Sequence, residues 1–114
     1  MNFKLLTQKL AKGAFDYGKR HNIEFTPEFA AIKLNEEVGE FNQALLIHQR
    51  QCRESKYIDS KISRKKLGYE LADIIGMAIA NAKIHGIDIE KAIDEKWIHR
   101  EIAKSWEIEV SPKS

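Results

Sequence analysis

Apolar residues recur three and four positions apart along almost the whole chain, which is the spacing of one face of an α-helix. Only six glycines and two prolines interrupt this pattern, so long stretches carry no chain breaker. The pattern predicts an all-α protein with four helices, over about residues 2–21, 27–50, 61–85 and 89–106. Because no repeat or linker separates these helices, we expect one domain over residues 1–114.

Local signals mark where the helices begin and end. Thr26 is a good N-cap and Pro27 suits the first helical position, while Asp88 is expected to cap the fourth helix. Gly86 is a plausible C-cap of the third helix. The residues expected to face the core are Phe3, Leu6, Leu10, Ala14 and Tyr17; Phe29, Ile32, Val38, Phe41 and Leu45; Leu67, Leu71, Ile75, Ala78 and Ala82; and Ile89, Ala92, Ile93 and Trp97.

Composition narrows the class of protein. Hydrophobic residues make up 43% of the chain and charged residues 32%, which excludes a disordered chain. No apolar run approaches the roughly 18 residues of a membrane span, and the N-terminus lacks the apolar stretch of a signal peptide. Cys52 is the single cysteine, so a disulfide within the chain is excluded and we expect a cytoplasmic protein that does not contact membranes.

Charge is balanced overall, with 19 Lys and Arg against 17 Asp and Glu, but it is unevenly distributed. Residues 50–66, called the basic segment below, contain Glu54 and Asp59 and seven basic residues: Arg50, Arg53, Lys56, Lys61, Arg64, Lys65 and Lys66. Such a segment is typical of a solvated turn or of a site for an anionic ligand. Since the rest of the chain is acidic, nucleic acid is not an expected partner of the protein as a whole.

Two pairs of acidic residues carry the candidate chemistry. Glu37 and Glu40 lie three positions apart on the second predicted helix, and Glu70 and Asp73 repeat the spacing on the third. Residues three apart lie on one face of a helix. Both pairs stand in apolar sequence, so we expect them at the margin of the core.

The length of the segment between the second and third predicted helices is expected to bring the two acidic pairs together. With a turn centred near residue 55, antiparallel helices place Glu40 opposite Glu70, and four carboxylates converge. Their repulsion would be relieved by a hard divalent cation, Mg²⁺ or Mn²⁺, since oxygen-only sites favour such ions. The alternative is two ordinary surface ion pairs, Lys33 with Glu37 and Lys66 with Glu70. Spacing leaves both interpretations open. It also leaves open whether Glu36, next to Glu37, replaces it as a ligand, acts as a base or is only a solvated side chain.

These motifs resemble those of the MazG-like, all-α nucleoside triphosphate pyrophosphohydrolases. The resemblance rests on Glu36-Glu37-Val38-Gly39-Glu40-Phe41, Glu70-Leu71-Ala72-Asp73-Ile74-Ile75, His85-Gly86-Ile87-Asp88-Ile89 and Glu95-Lys96. It covers about residues 29–104, and the 29 residues between Glu40 and Glu70 make a long spacer for this family.

The resemblance implies an enzyme that uses Mg²⁺ to hydrolyse a nucleoside or deoxynucleoside triphosphate to a nucleoside monophosphate and pyrophosphate. It also implies a four-helix bundle completed by a homodimer or homotetramer. The implied roles are catalysis for Glu36, which would position or deprotonate the attacking water; metal binding for Glu37, Glu40, Glu70 and Asp73; and phosphate binding for Lys96 and Arg100, which would share a face of the fourth helix.

Two other functions remain open from the sequence. Phosphoribosyl-ATP pyrophosphohydrolase is a related activity that would differ only in substrate. A helical interaction protein without catalytic activity would use the basic segment to bind RNA or an acidic partner.

Overall fold

The computed structural model describes the backbone of residues 1–110 and the side chains of residues 1–105. These residues form helices and contain no strand, which confirms the all-α prediction. The elements in order are α1 (Phe3–Arg20), α2 (Pro27–His48), a 3-10 turn (Glu54–Lys56), α3 (Ser60–Ile84), α4 (Ile89–Ile93), a π turn (Asp94–Ile98) and α5 (Arg100–Val110).

Helix capping follows the local sequence signals. The Thr26 hydroxyl accepts a hydrogen bond from the Phe29 backbone N–H at 3.1 Å, and Pro27 is the first residue of α2. Asp88 caps α4 by accepting from the Lys91 N–H at 3.1 Å. Gly86 adopts a φ of 65° just after α3, which is the conformation that favours glycine there. The predicted starts of α2 and α4 are therefore confirmed.

An antiparallel hairpin of α2 and α3 forms the centre of the molecule. At one end the Asn81 side-chain amide donates to the Ala30 carbonyl oxygen at 2.9 Å. At the other end, beside the turn, His48 Nδ1 and Ser63 Oγ lie 2.6 Å apart. These two bonds fix the register along the full length of the pair. α1 packs against α3, and its Leu10 lies over the Gly76 backbone.

The prediction of one continuous helix over residues 89–106 is wrong. The chain forms a π turn after α4, and His99 leaves the helical region with φ −109° and ψ 65° before α5 begins. The His99 N–H bonds to the Asp94 carbonyl oxygen at 2.7 Å, and the His99 ring lies 3.0 Å from the Asp94 carboxylate. These contacts over five residues replace the regular helical ladder and end the helix.

Few apolar side chains are buried within one chain. Among residues 1–105, the buried apolar residues are Ala11, Ala30, Ala44, Ile79, Ala80 and Ala82. The expected core residues that lie exposed instead are Leu6, Tyr17, Ile32, Val38, Leu71, Ile75, Ile93 and Trp97. Helices α2 and α3 carry apolar residues on more than one side, and a single chain covers only part of them.

Within residues 1–110, no helix combines the length and the apolar character that crossing a bilayer requires.

Candidate metal centre

Four carboxylates meet at the middle of the α2–α3 hairpin. Glu37 and Glu40 from α2 and Glu70 and Asp73 from α3 each offer an oxygen, and these oxygens all lie within 4.8 Å of one another. The three-residue spacing puts each pair on one face, and the antiparallel register sets the faces against each other. The predicted convergence is present in the structure. We call these four residues the carboxylate cluster.

The cluster contains two buried oxygens without a hydrogen-bond partner. They are Oε2 of Glu37 and Oε2 of Glu70, which come from opposite helices. Glu40 and Asp73 are exposed and form the outer edge of the cluster. A buried carboxylate oxygen that bonds to nothing loses its hydration without compensation. The two oxygens are therefore available as ligands for a cation.

The charge of the cluster is reflected in the acidity of Glu37. Burial raises the pKa of Glu37 from 4.5 to about 7, and the close approach of the Glu40 carboxylate and the negative charges of Glu40 and Asp73 act in the same direction. The positive charge of Lys33 opposes this shift. At neutral pH, without a metal ion, the Glu37 carboxyl is therefore protonated in part of the molecules and ionised in the others.

The donor set fits a hard divalent cation. All four side chains offer carboxylate oxygen, and none offers nitrogen or sulfur. Mg²⁺ takes a few carboxylate ligands and keeps water or phosphate oxygens in its other positions. Mn²⁺ accepts the same ligands. A cation at this place would bond the two unpartnered oxygens and offset the repulsion among the four groups.

The Lys33 amine forms an ion pair with the carboxylate of Glu36 and not with that of Glu37. Its amine lies 3.1 Å from Oε1 of Glu36, whose side chain is 51% exposed. The surface ion pair of Lys33 with Glu37, one of the alternatives drawn from spacing, is not formed. The corresponding pair of Lys66 with Glu70 is also absent from the described residues, where Oε2 of Glu70 has no partner. Glu36 lies next to the cluster in sequence but outside the group of four.

Lys96 and Arg100 do not lie together on one face of a helix. Lys96 belongs to the π turn and Arg100 begins α5, with the non-helical His99 between them. Among the described residues, α4, the π turn and α5 contact mainly each other, and make no extended contact with α2 or α3. The predicted shared face is therefore wrong, and within one chain these cations are not packed against the carboxylate cluster.

A cavity of about 320 Å³ adjoins the cluster, and the sequence analysis missed it. Lys9, Leu10, Gly13 and Ala14 of α1 form one wall of this cavity. The opposite side is formed by α3, and Glu37 and Asp73 of the cluster complete the lining: Ala72, Asp73, Gly76, Met77 and Glu37. The small residues on α1 and α3 were the only indication of a cavity in the sequence. Their spacing could not show that α1 packs beside the carboxylate cluster. A larger cavity, of about 600 Å³, lies by α4 and is lined by none of the four carboxylates.

The basic segment lies at the turn end of the hairpin. Its seven basic residues are exposed, and none forms an ion pair with a carboxylate in the described part of the chain. The Arg50 guanidinium lies 5.0 Å from the centre of the Tyr57 ring, and the Lys65 amine lies 5.8 Å from that of Tyr69. This arrangement is that of a solvated turn stabilised by its own aromatic contacts.

Comparison of the chain with protein-family models, with curated proteins and with solved structures found no match.

Proposed function

We propose that this protein is a Mg²⁺-dependent nucleotide pyrophosphohydrolase of the MazG-like type, with Mn²⁺ as an alternative ion. It would hydrolyse a nucleoside or deoxynucleoside triphosphate between the α and β phosphates. The observation that carries the proposal is the carboxylate cluster, with four oxygens within 4.8 Å and two of them buried without partners. The order in which these same acids occur along the chain, from which the resemblance was drawn, also supports it.

The proposed chemistry is an in-line displacement. Mg²⁺ bound in such a site supplies charge stabilisation at the phosphates and a more acidic water. Glu37, Glu40, Glu70 and Asp73 would hold the ion and orient it. The water oxygen would bond to the α-phosphorus as the bond from that phosphorus to the bridging oxygen breaks. Pyrophosphate would leave, and Glu36 would take the proton that the water loses.

Lys96 and Arg100 keep their proposed role as phosphate-binding residues. Their positive charges would stabilise the pyrophosphate as it leaves. Since α4, the π turn and α5 do not pack on the hairpin, this role requires either closure of these elements over the cluster or a contribution from a second copy. Substitution of each residue, with the substrate KM as readout, tests the assignment.

The proposed enzyme is a homodimer or homotetramer. Val38 and Leu71 each follow a cluster residue by one position, which turns both by about 100° around their helices. In an antiparallel pair this rotation places them on the same side of the hairpin. Ile75 extends that side, and its side chain is 53% exposed. A second copy would cover this apolar face, which a monomer would leave in contact with water.

The test of the function is pyrophosphate release with Mg²⁺ from a panel of NTPs, dNTPs and phosphoribosyl-ATP. Glu40→Gln and Asp73→Asn should abolish release, whereas the control Glu24→Gln, which removes an exposed carboxylate outside the cluster, should not. Absence of release from every nucleotide, together with absence of Mg²⁺ binding in calorimetry, would contradict the proposal. In that case binding of RNA or an acidic protein by the basic segment would become the function to test.

A further inference from the structure

We infer that the cavity of about 600 Å³ by α4 binds a small amphipathic anion, a carboxylate on a straight hydrocarbon chain. The cavity is lined by side chains from residues 4–15 of α1, 79–83 of α3 and 87–90 at the start of α4, and we call it the α4 cavity. None of the four carboxylates of the cluster lines it. The inference therefore goes beyond the proposed function and does not depend on it.

The α4 cavity has the dimensions of a small-molecule site. Pockets that hold such molecules run from about 300 to 1,000 Å³, and this cavity lies within that range. Its lining on α1 extends from Lys4 to Phe15, which is about 16 Å along the helix axis at a rise of about 1.5 Å per residue. This length favours an extended hydrocarbon chain over a compact ring system.

The floor of the α4 cavity is apolar. It contains the buried side chains of Ala11 from α1 and of Ile79 and Ala82 from α3. The two alanines have short side chains, which leaves the space above them open. Ile87 on the wall is 52% exposed, so a large apolar side chain contacts water there. A hydrocarbon chain in the cavity would cover this surface, and removal of apolar surface from water favours binding.

Lysines outnumber acidic residues in the lining. The charged residues there are Lys4, Lys12, Lys83, Asp88 and Glu90. The Asp88 carboxylate already caps α4, where it accepts a hydrogen bond from the Lys91 backbone N–H at 3.1 Å. The excess of positive charge favours a ligand with a negative group at one end.

Lys83 is the lysine best placed to hold the carboxylate of the ligand. It directly follows Ala82 of the floor and lies one helical turn after Ile79. Lys83 is exposed and forms no ion pair with a carboxylate in the described part of the chain, whereas Lys12 is paired with Asp16 at 2.6 Å. The Lys83 ammonium can therefore donate a charge-assisted hydrogen bond to a bound carboxylate.

Two lysines provide a matched pair of variants for the charge. Lys83 lies in the last turn of α3 and Lys19 in the last turn of α1, and both are exposed. Lys83→Met and Lys19→Met therefore lose a similar interaction with the negative end of a helix dipole. Only Lys83 lines the α4 cavity. A difference between the two variants in ligand binding reports on the cavity.

The measurement is calorimetry of the full chain in EDTA with decanoate as the probe. Decylammonium has a hydrocarbon chain of the same length with a positive charge, and acetate has the carboxylate without the long chain. We expect decanoate to bind at one site per chain and both other probes to bind about tenfold more weakly or worse. Lys83→Met should weaken decanoate binding about tenfold or more, the effect of one lost hydrogen bond to a charged group. Lys19→Met should leave it unchanged.

A second pair of variants tests the apolar part of the site. Ile87→Ser removes the exposed apolar side chain from the wall, and we expect it to weaken decanoate binding while acetate binding stays as it is. Ile62→Ser is the control, because Ile62 is 56% exposed and does not line the α4 cavity. The melting temperature of each variant shows whether it is folded.

Several outcomes would overturn the inference. They are a decanoate affinity weaker than about 1 mM, equal affinities for decanoate and decylammonium, and equal losses in folded Lys83→Met and Lys19→Met proteins. Displacement of decanoate by a dNTP with Mg²⁺ would make the cavity part of the substrate site and would also overturn it. Decanoate binding that disappears as the protein is concentrated would assign the cavity to a second copy, with the same consequence.

The result is separable from the proposed function. Saturable decanoate binding that Lys83→Met weakens and Lys19→Met does not supports the inference even in a protein that hydrolyses no nucleotide. A protein that hydrolyses dNTPs and binds no decanoate keeps the proposed function and loses this site.

Discussion

Glu37 of α2 and Glu70 of α3 place carboxylate oxygens within 4.8 Å of each other, and each leaves its Oε2 buried without a hydrogen-bond partner. Two glutamates on neighbouring helices could have turned outward and paired with lysines. Here they turn towards each other, so the hairpin carries a local electrostatic cost in the metal-free protein. That cost is the basis of the first two predictions.

Replacement of Glu70 by glutamine should stabilise the metal-free protein and remove the effect of metal on stability. The substitution removes one of four converging negative charges, and we expect the melting temperature in EDTA to rise. With Mg²⁺ at 100 times its Kd the wild-type protein should gain about 2.7 kcal/mol, and Glu70→Gln should gain little. Thermal melts with EDTA and with Mg²⁺ measure both effects. Glu24→Gln, outside the cluster, should respond to Mg²⁺ as wild type does; equal Mg²⁺ stabilisation of Glu70→Gln would argue against the cluster as the metal site.

The metal-free protein should lose stability as the pH rises from about 4.5 to about 7. Glu37 has a pKa of about 7 in the folded protein against 4.5 as its ordinary value, so the folded state binds the proton more tightly than the unfolded state does. Its stabilising contribution is full below 4.5 and is lost as the pH rises through 7. Urea unfolding in EDTA across this range measures the change. Glu37→Gln should flatten the dependence, and the same slope in that variant would assign it to another group.

Mg²⁺ affinity should show the opposite trend with pH. A metal ion must displace the proton that Glu37 holds, so binding weakens as the pH falls below about 7. One displaced proton predicts about a tenfold loss of affinity per pH unit. Calorimetry at several pH values in buffers of different ionisation enthalpy gives both the affinity and the number of protons released. An affinity that is constant between pH 5 and pH 7 would be inconsistent with Glu37 as a ligand.

Loss of the proposed base should reduce turnover and leave substrate binding in place. General base catalysis contributes about 10²-fold to 10⁴-fold, so Glu36→Gln should lower kcat by that order with little change in KM or in Mg²⁺ affinity. Steady-state pyrophosphate release measures the effect. Lys33→Met is the control for the loss of the ion pair by itself, since Lys33 bonds to Glu36 at 3.1 Å. If both variants lose activity equally, the role of Glu36 is to position neighbouring groups through that pair.

A charge placed on the apolar side of the hairpin should prevent self-association. Ile75→Glu introduces a carboxylate where we propose that a second copy packs, and we expect a monomer in analytical ultracentrifugation. Ile62→Glu is the matched control, because Ile62 is similarly exposed but lies on the first turn of α3, within the basic segment. A wild-type protein that sediments as a monomer would contradict the proposed oligomer. Dissociation by both substitutions would place the interface elsewhere on α3.

The helices and the carboxylate cluster were accessible from the sequence because they depend on local rules. Thr26 and Asp88 act on backbone groups a few residues away, so capping could be predicted without knowing the fold. The cluster needed one further step, the position of the turn, which fixes which residues of α2 and α3 lie opposite. The bonds from Asn81 to Ala30 and between His48 and Ser63 show that register in the structure.

Other features of the structure depend on contacts between distant segments of the chain, and the spacing of apolar residues does not predict these contacts. Trp97 belongs to an apolar stripe by spacing, yet it is 74% exposed because the helix breaks at His99 and its segment does not pack on the hairpin. Lys33 could reach Glu36 or Glu37 equally well by sequence, and only the burial of Glu37 between the helices leaves Glu36 as its partner. The cavity beside the carboxylate cluster forms only because α1 packs across the α2–α3 hairpin, and the sequence pattern does not specify that packing.

The amino-acid sequence thus determined the helical class, the helix N-caps at Thr26 and Asp88, and the meeting of four acids, since each follows from periodicity, capping and chain length. The packing of the helices determined that Glu37 and Glu70 each bury an oxygen, that Lys96 and Arg100 fall on separate elements, and that Lys9 lines a cavity beside the cluster. Burial and relative orientation arise from the simultaneous packing of distant segments, which no local pattern encodes.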